Sequence, residues 1–293
     1  EYKSDIEGIL IKSRNYEEEI SISNYSKKLN NWADFIIGSC DYFNRFYKVD
    51  IKNVVVNIDS DLPIGIGLSS SAATCVSMIR ALSNFFEINL DEPTTVKIAH
   101  CIENDFVGVG GGIMDQFVSV YGEIDKALFL NTKNNDYKLI PLFNDYSFQI
   151  IDSGKKRILS DSAFNDRKRM CNKSAEKMSL QYLCDKDKIG EKDKNLLSKS
   201  EFKVSKHVIE ENIRSKKGLE ALLNNDPKLF GELMTQSHNS LANDYMVSCS
   251  ELDQLIHLCN KYGAMGAKLT GAGFGGAIVT LIKNDLVEEL KEY

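Results

Sequence analysis

Apolar residues along this chain switch between two periods. Ile51, Val54, Val56 and Ile58 keep mainly to every second position, the period of a half-buried strand. From Ala72 onward, Val76, Ile79, Leu82 and Phe86 recur at helical spacing, which predicts a helix over 69–86. The same reading gives a strand pair at 8–12 and 18–23 and a helix from Trp32 to Phe46. It adds a helix over 94–106 and strands at 117–121, 126–130 and 147–151. From 161 the chain turns helical, with Cys171, Ala175, Met178 and Tyr182 as a core-facing stripe. Residues 185–206, dense in lysine, aspartate and serine, read as a solvated loop or an exposed helix. Helices fit 207–223, 227–240 and 249–262, a strand fits 277–282, and a last helix starts near Asp285. Strands and helices mix without regular alternation, so an α+β fold is expected, not a doubly wound sheet. No internal repeat is present.

Between the strand at 51–58 and the next helix lies Pro63-Ile-Gly-Ile-Gly-Leu-Ser-Ser-Ser-Ala-Ala73. Gly65 and Gly67 let the backbone turn its N–H groups inward, and a helix start adds partial positive charge. Ser69, Ser70 and Ser71 can donate to phosphate oxygens or ligate a metal ion, so the segment reads as an anion cradle for a nucleotide. Serine is also a common N-cap whatever the function, which leaves a purely structural turn as the alternative. The pattern G-x-x-x-x-G-K-[ST] is absent, which excludes a P-loop.

Two further glycine-rich segments carry chemistry. Gly271-Ala-Gly-Phe-Gly-Gly276 satisfies G-x-G-x-x-G, yet a strand-like run follows where a dinucleotide site needs a helix. Those glycines are expected to bring backbone close to another segment or a ligand; Lys268 before them could touch phosphate or be a solvated surface lysine. Asp115 follows Gly108-Val-Gly-Gly-Gly-Ile-Met and can accept a proton from a substrate hydroxyl, or simply cap a turn. Glu103, twelve positions earlier on a helix, can face the same pocket or lie in solvent.

Composition narrows the field. A chain of 293 residues suits one large domain or two ordinary ones, and 43% apolar with 27% charged residues is a soluble globular balance. A net charge of −6, from 36 basic and 42 acidic residues, argues against a nucleic-acid scaffold. No apolar run reaches membrane length, and no signal peptide is read at the start. Seven scattered cysteines without C-x-x-C predict reduced thiols in the cytoplasm, and four histidines without H-E-x-x-H argue against zinc.

Taken in order, these segments resemble the GHMP sugar kinases, with the spacing of the galactokinase branch. Support comes from Trp32-Ala-Asp-Phe-Ile-Ile-Gly38, Gly112-Ile-Met-Asp-Gln116, Asp152-Ser-Gly154 and Ser162-Ala-Phe-Asn-Asp-Arg167 with Cys171. It continues through His207-Val-Ile-Glu210, Ser237-His238 and the run Asp244 to Asp253. The resemblance spans about Trp32 to Leu281. It implies a ribosomal protein S5 domain 2-like N-terminal domain over 1–143 and a ferredoxin-like C-terminal domain over 144–293. It further implies ATP phosphates on Gly65, Gly67, Ser69, Ser70 and Ser71, adenine near Trp32, and Mg²⁺ shared by Ser70 and Glu103. Asp115 would take the proton from the anomeric hydroxyl of galactose, with Gly112 and Phe164 also at the sugar. The implied products are galactose 1-phosphate and ADP, made by a cytoplasmic monomer with no nucleic-acid or membrane partner.

The chain also departs from the family. The first motif, G-R-x-N-L-I-G-E-H-x-D-Y, is not found, the chain opens on Glu1, and it stops at Tyr293 before the family's last strand. It is therefore expected to be a fragment that is inactive or barely active alone. Phe164 stands where a tyrosine is usual, and Phe164-Asn165 matches N-acetylgalactosamine kinases. A kinase for that sugar, or a catalytically inactive sugar sensor, are the alternatives. The intact run Ser69 to Ala73, with Glu103 and Asp115, weighs against the sensor.

Overall fold

The computed structural model describes residues 7–156 and 161–291, with 161–164 by backbone alone, and divides them into two compact units. The first contains the described residues up to Ile64, Leu68–Ile124 and Leu130–Lys138. The second contains Gly65–Gly67, Asp125–Phe129 and the chain from Leu139 onward.

In the first unit, β1 (Ile9–Ser13) is the centre of a sheet of order β2-β1-β3. It runs antiparallel to β2 (Tyr16–Ile22) and parallel to β3 (Val54–Ile58), with Ile9 opposite both Ile22 and Val54. Strand alternation turns Ile9 and Ile11 inward, where both are fully buried. They join Ile36, Ile37, Cys40 and Phe43 of α1 (Asp34–Tyr47) and Cys75 and Ile79 of α2 (Ser70–Phe85) in one core. Each isoleucine so buried stabilises by about 1.5–3 kcal/mol. Helix α3 (Glu92–Cys101) opens on Asp91, whose carboxylate accepts from Thr94 N–H at 2.9 Å, and α4 (Met114–Tyr121) completes the unit.

Strands β4 (Lys126–Asn131) and β5 (Asp136–Pro141) form a two-stranded ribbon. The second unit continues with β6 (Tyr146–Asp152), α5 (Asp161–Lys177), α6 (Glu191–Leu196), α7 (Lys199–Leu223) and α8 (Pro227–Ser240). It ends with α9 (Ser250–Lys261), β7 (Gly266–Leu269), β8 (Ala277–Lys283) and α10 (Val287–Lys291). The sheet order is β6-β8-β7, antiparallel throughout. Helix α8 meets β7 with almost no gap: a Cβ on Gly231 would fall on the Met265 carbonyl.

The architecture is α+β, as the irregular alternation of periods predicts. Residues 117–121, expected as a strand, are helical instead. Phe117 is buried while Val118 is exposed, and a run this short cannot separate the two periods. The helix expected over 94–106 ends as α3 at Cys101 and continues as a π-helical turn, Ile102–Val107. Strands β5 and β7 have no counterpart in the predicted elements. Part of 185–206 is α6 and the first turns of α7, which starts with a capping box of Ser198 and Glu201.

All seven cysteines are free; Cys40, Cys75 and Cys259 are buried and Cys184 is exposed. No helix among the described residues is long and apolar enough to cross a membrane.

Candidate active site

Helix α2 begins where β3 has run out into the glycine-serine segment. Gly65 and Gly67 take φ of +80° and +91°, which β-carbon-bearing residues rarely adopt. Ala277 N–H donates to Ile66 C=O at 3.1 Å, holding this turn within the second unit. Ser69 is the N-cap of α2 with a φ of 57°, and its hydroxyl makes no capping bond. The first-turn N–H groups of a sixteen-residue helix are thus left for an acceptor from outside.

The start of α2 borders a cavity of about 100 Å³ in the first unit, lined in part by Ser70, Ser71, Thr74, Trp32 and Tyr16. Trp32 and Tyr16 stack there with ring centroids 4.6 Å apart and planes 3° from parallel. An aromatic platform and a helix N-terminus therefore share one cavity, an arrangement suited to a planar ring carrying an anionic tail.

Acidic groups stand beside Ser71. Glu103 is on the π-helical turn, 5% exposed, and its backbone carbonyl accepts from both Gly108 and Val109 N–H at 2.9 Å. The Ser71 hydroxyl bonds to its carboxylate, and Gln116 Nε2 donates to its Oε2. Burial holds the Glu103 carboxyl above the usual range, with Asp115 adding repulsion; the Ser71 and Gln116 bonds act in the opposite direction. Gln116 is itself 2% exposed, and its Oε1 is buried without a partner among the described residues. Asp115 is half-buried in the first turn of α4. Gly112, two residues before α4, is exposed, with open space where a Cβ would project. The loop before it is tied down by His100, whose Nε2 lies 3.3 Å from the Gly111 carbonyl.

Ser70, Ser71, Trp32, Glu103, Gly112 and Asp115 thus all belong to the first unit, whereas Gly65 and Gly67 pack with the second. The side chain of Phe164 lies outside the described residues. Lys268 is half-buried, and its Nζ donates to Glu211 Oε1 at 3.3 Å. The Gly271–Gly276 loop does bring backbones together, a Cβ at Gly276 coming 3.0 Å from Ile66 O. Sequence reasoning missed Tyr16 and Gln116. Gln116 adjoins Asp115 in a motif already singled out, but nothing in the sequence pairs Tyr16 with Trp32.

Comparison with known proteins follows the same lines. Residues 34–123 match the GHMP kinases N terminal domain, and residues 219–293 match the GHMP kinases C terminal domain. The chain is 38% identical to galactokinase of Thermotoga maritima over 292 residues, covering 98% of this chain and 81% of that protein. It is 37% identical to galactokinase of Clostridium perfringens, covering 92% and 72%. Among solved structures, Lactococcus lactis galactokinase complexed with galactose superposes with a TM-score of 0.89 at 28% identity, covering 99% of this chain and 78% of that one. Mevalonate kinase of Methanococcus jannaschii shares the fold, with a TM-score of 0.68 at 23% identity over 100% and 82%.

Proposed function

The chain belongs to the galactokinases of the GHMP kinase family, and from that premise we propose how its residues divide the work. The reaction is transfer of the terminal phosphoryl group of ATP to the anomeric hydroxyl of galactose, giving galactose 1-phosphate and ADP. The observation that carries the assignment of roles is the single cavity in which the Trp32–Tyr16 stack meets the start of α2.

Adenine lies against Trp32, and the phosphates lie on Gly65, Gly67 and the N–H groups and hydroxyls of Ser69, Ser70 and Ser71. Mg²⁺ suits the donor set: Glu103, Ser70 and the unpartnered Gln116 Oε1 offer hard oxygen atoms. Among the described residues no cluster of three or more His, Cys, Asp or Glu could hold a metal, and it is Glu103, Ser70 and Gln116 that would hold the ion. When bound, the ion neutralises charge shared between the β- and γ-phosphates. Asp115 accepts the proton of the anomeric hydroxyl as that oxygen bonds to phosphorus and the bond from phosphorus to the β–γ bridging oxygen breaks. Gly112 lets the sugar approach its backbone. Free thiols and ATP dependence fit a cytoplasmic location.

The test is galactose-dependent ADP release by the protein, beside its Asp115→Asn variant. Turnover with galactose is expected, and loss of the general base should lower it by about 10²–10⁴-fold. Full activity in the variant would remove Asp115 from the mechanism. Turnover with N-acetylgalactosamine alone would move the substrate without changing the chemistry.

A further inference from the structure

The second unit contains a larger cavity, of about 260 Å³, lined by none of the residues assigned above to nucleotide or sugar. Leu128, Phe129, Leu219, Leu222, Phe230 and Met234 form an apolar wall. Three charged residues also line it: Arg214 and Lys268 stand against a single carboxylate, Glu211. That carboxylate already has three donors. Its Oε1 accepts from the Ser237 hydroxyl and from Lys268 Nζ at 3.3 Å, and its Oε2 accepts from Arg214 Nε at 2.7 Å. Arg214 Nη1 reaches Glu210 at 3.5 Å, a residue that does not line the cavity. Arg214 Nη2 is buried without a partner among the described residues, so a donor is left unmet. An unmet buried donor costs free energy that an incoming acceptor would recover.

A second observation comes from the helix itself. Gly218 sits buried inside the 25-residue α7, where glycine costs about 1 kcal/mol relative to alanine. Nothing steric requires it, since a Cβ there would meet Phe230 at 3.5 Å, an ordinary contact. The glycine keeps space open beside Phe230 at the expense of helix stability.

We propose that this cavity is a binding site for an amphipathic carboxylate, its apolar body against the Leu128–Phe230 wall and its carboxylate between Arg214 and Lys268. The size of the occupant follows from volume. An engineered apolar cavity of about 150 Å³ admits benzene, so about 260 Å³ admits an occupant of about ten non-hydrogen atoms. Octanoate has that size and is the probe. A cationic occupant is disfavoured by two lining cations, and a neutral acceptor meets the Arg214 donor without the gain of an ionised acceptor.

The experiment is isothermal titration of the full 293-residue chain with octanoate, 1-octanol and octylamine. Octanoate should bind about tenfold more tightly than 1-octanol, as one charge-assisted hydrogen bond implies, with octylamine weakest. Gly218→Leu should abolish octanoate binding by filling the space. Arg214→Met should bring octanoate down to the level of 1-octanol. Ser215→Asp, at an exposed lining position that leaves the buried network intact, should weaken octanoate alone and serves if Arg214→Met does not fold. No saturable octanoate binding, equal affinity for octylamine, or unchanged affinity in Gly218→Leu would each overturn the proposal.

Discussion

Glu103 carries a charge that its surroundings only partly compensate. Its carboxyl pKa is raised in the folded chain, first by burial and then by Asp115. A raised pKa means that the folded state binds this proton more tightly than the unfolded one. The associated stability is complete below the unfolded value, near 4.5, and is lost as pH rises through the higher folded value. Glu103→Gln should therefore raise the melting temperature at pH 7 without nucleotide, with the gap to wild type closing toward pH 4. The same variant should lower ADP release by about 10²–10³-fold, because a preorganised charge at the phosphates is lost. A variant less stable than wild type at pH 7 would refute the sign. In the sequence, Glu103 was one more glutamate on a helix. Its burial arises from the π-helical turn and from Gln116, thirteen positions away, and no periodicity signals either. Ser69 to Ser71 were legible because three hydroxyls at a strand-to-helix junction need no tertiary contact to be recognised.

Two glycines on adjoining helices should answer oppositely to one change. Gly231 in α8 has the backbone of Met265 where its Cβ would be, and Gly266 in β7 faces Gly231 in return. Gly231→Ala must push α8 off β7, so a destabilisation of about 1–3 kcal/mol or more is expected despite the gain in helix propensity. Gly218→Ala in α7 meets only ordinary contact and should stabilise by about 0.5–1 kcal/mol. Urea unfolding of the two variants decides the matter, and a shared direction would contradict this account of the packing. From the sequence, both are simply interior helix glycines, because what separates them is the backbone of Met265 for one and a cavity for the other. The helices themselves were well marked: α8 begins at Asp226-Pro227 with Asp226 accepting from Leu229 N–H at 3.0 Å. The short run at 117–121 was misread, since its helical state depends on the loop that leads into it.

At the scale of the molecule, each cavity is lined by residues of one compact unit, the smaller by the first and the larger by the second. ATP at a hundred times its Kd adds about 2.7 kcal/mol to whatever binds it. Amide exchange should accordingly slow by up to about a hundredfold in β2 and the start of α2, with α7 and α8 little changed. Equal protection of α7 and α8 would argue against a nucleotide site at the start of α2. Mixed helix and strand periods made the α+β class readable. The interleaving that places Gly65–Gly67 and Asp125–Phe129 with the second unit was not, because no shift in composition accompanies it. The distribution of thiols has a practical consequence. Burial pushes the Cys40 thiol up to about 12 and raises those of Cys75, Cys101, Cys171 and Cys259, so few reactive thiolates form there near neutral pH. Cys184 is the one exposed cysteine among the described residues. The protein thus comes with its own attachment point: a brief maleimide pulse should tag Cys184 first, fixing a fluorophore on the second unit without altering a single codon.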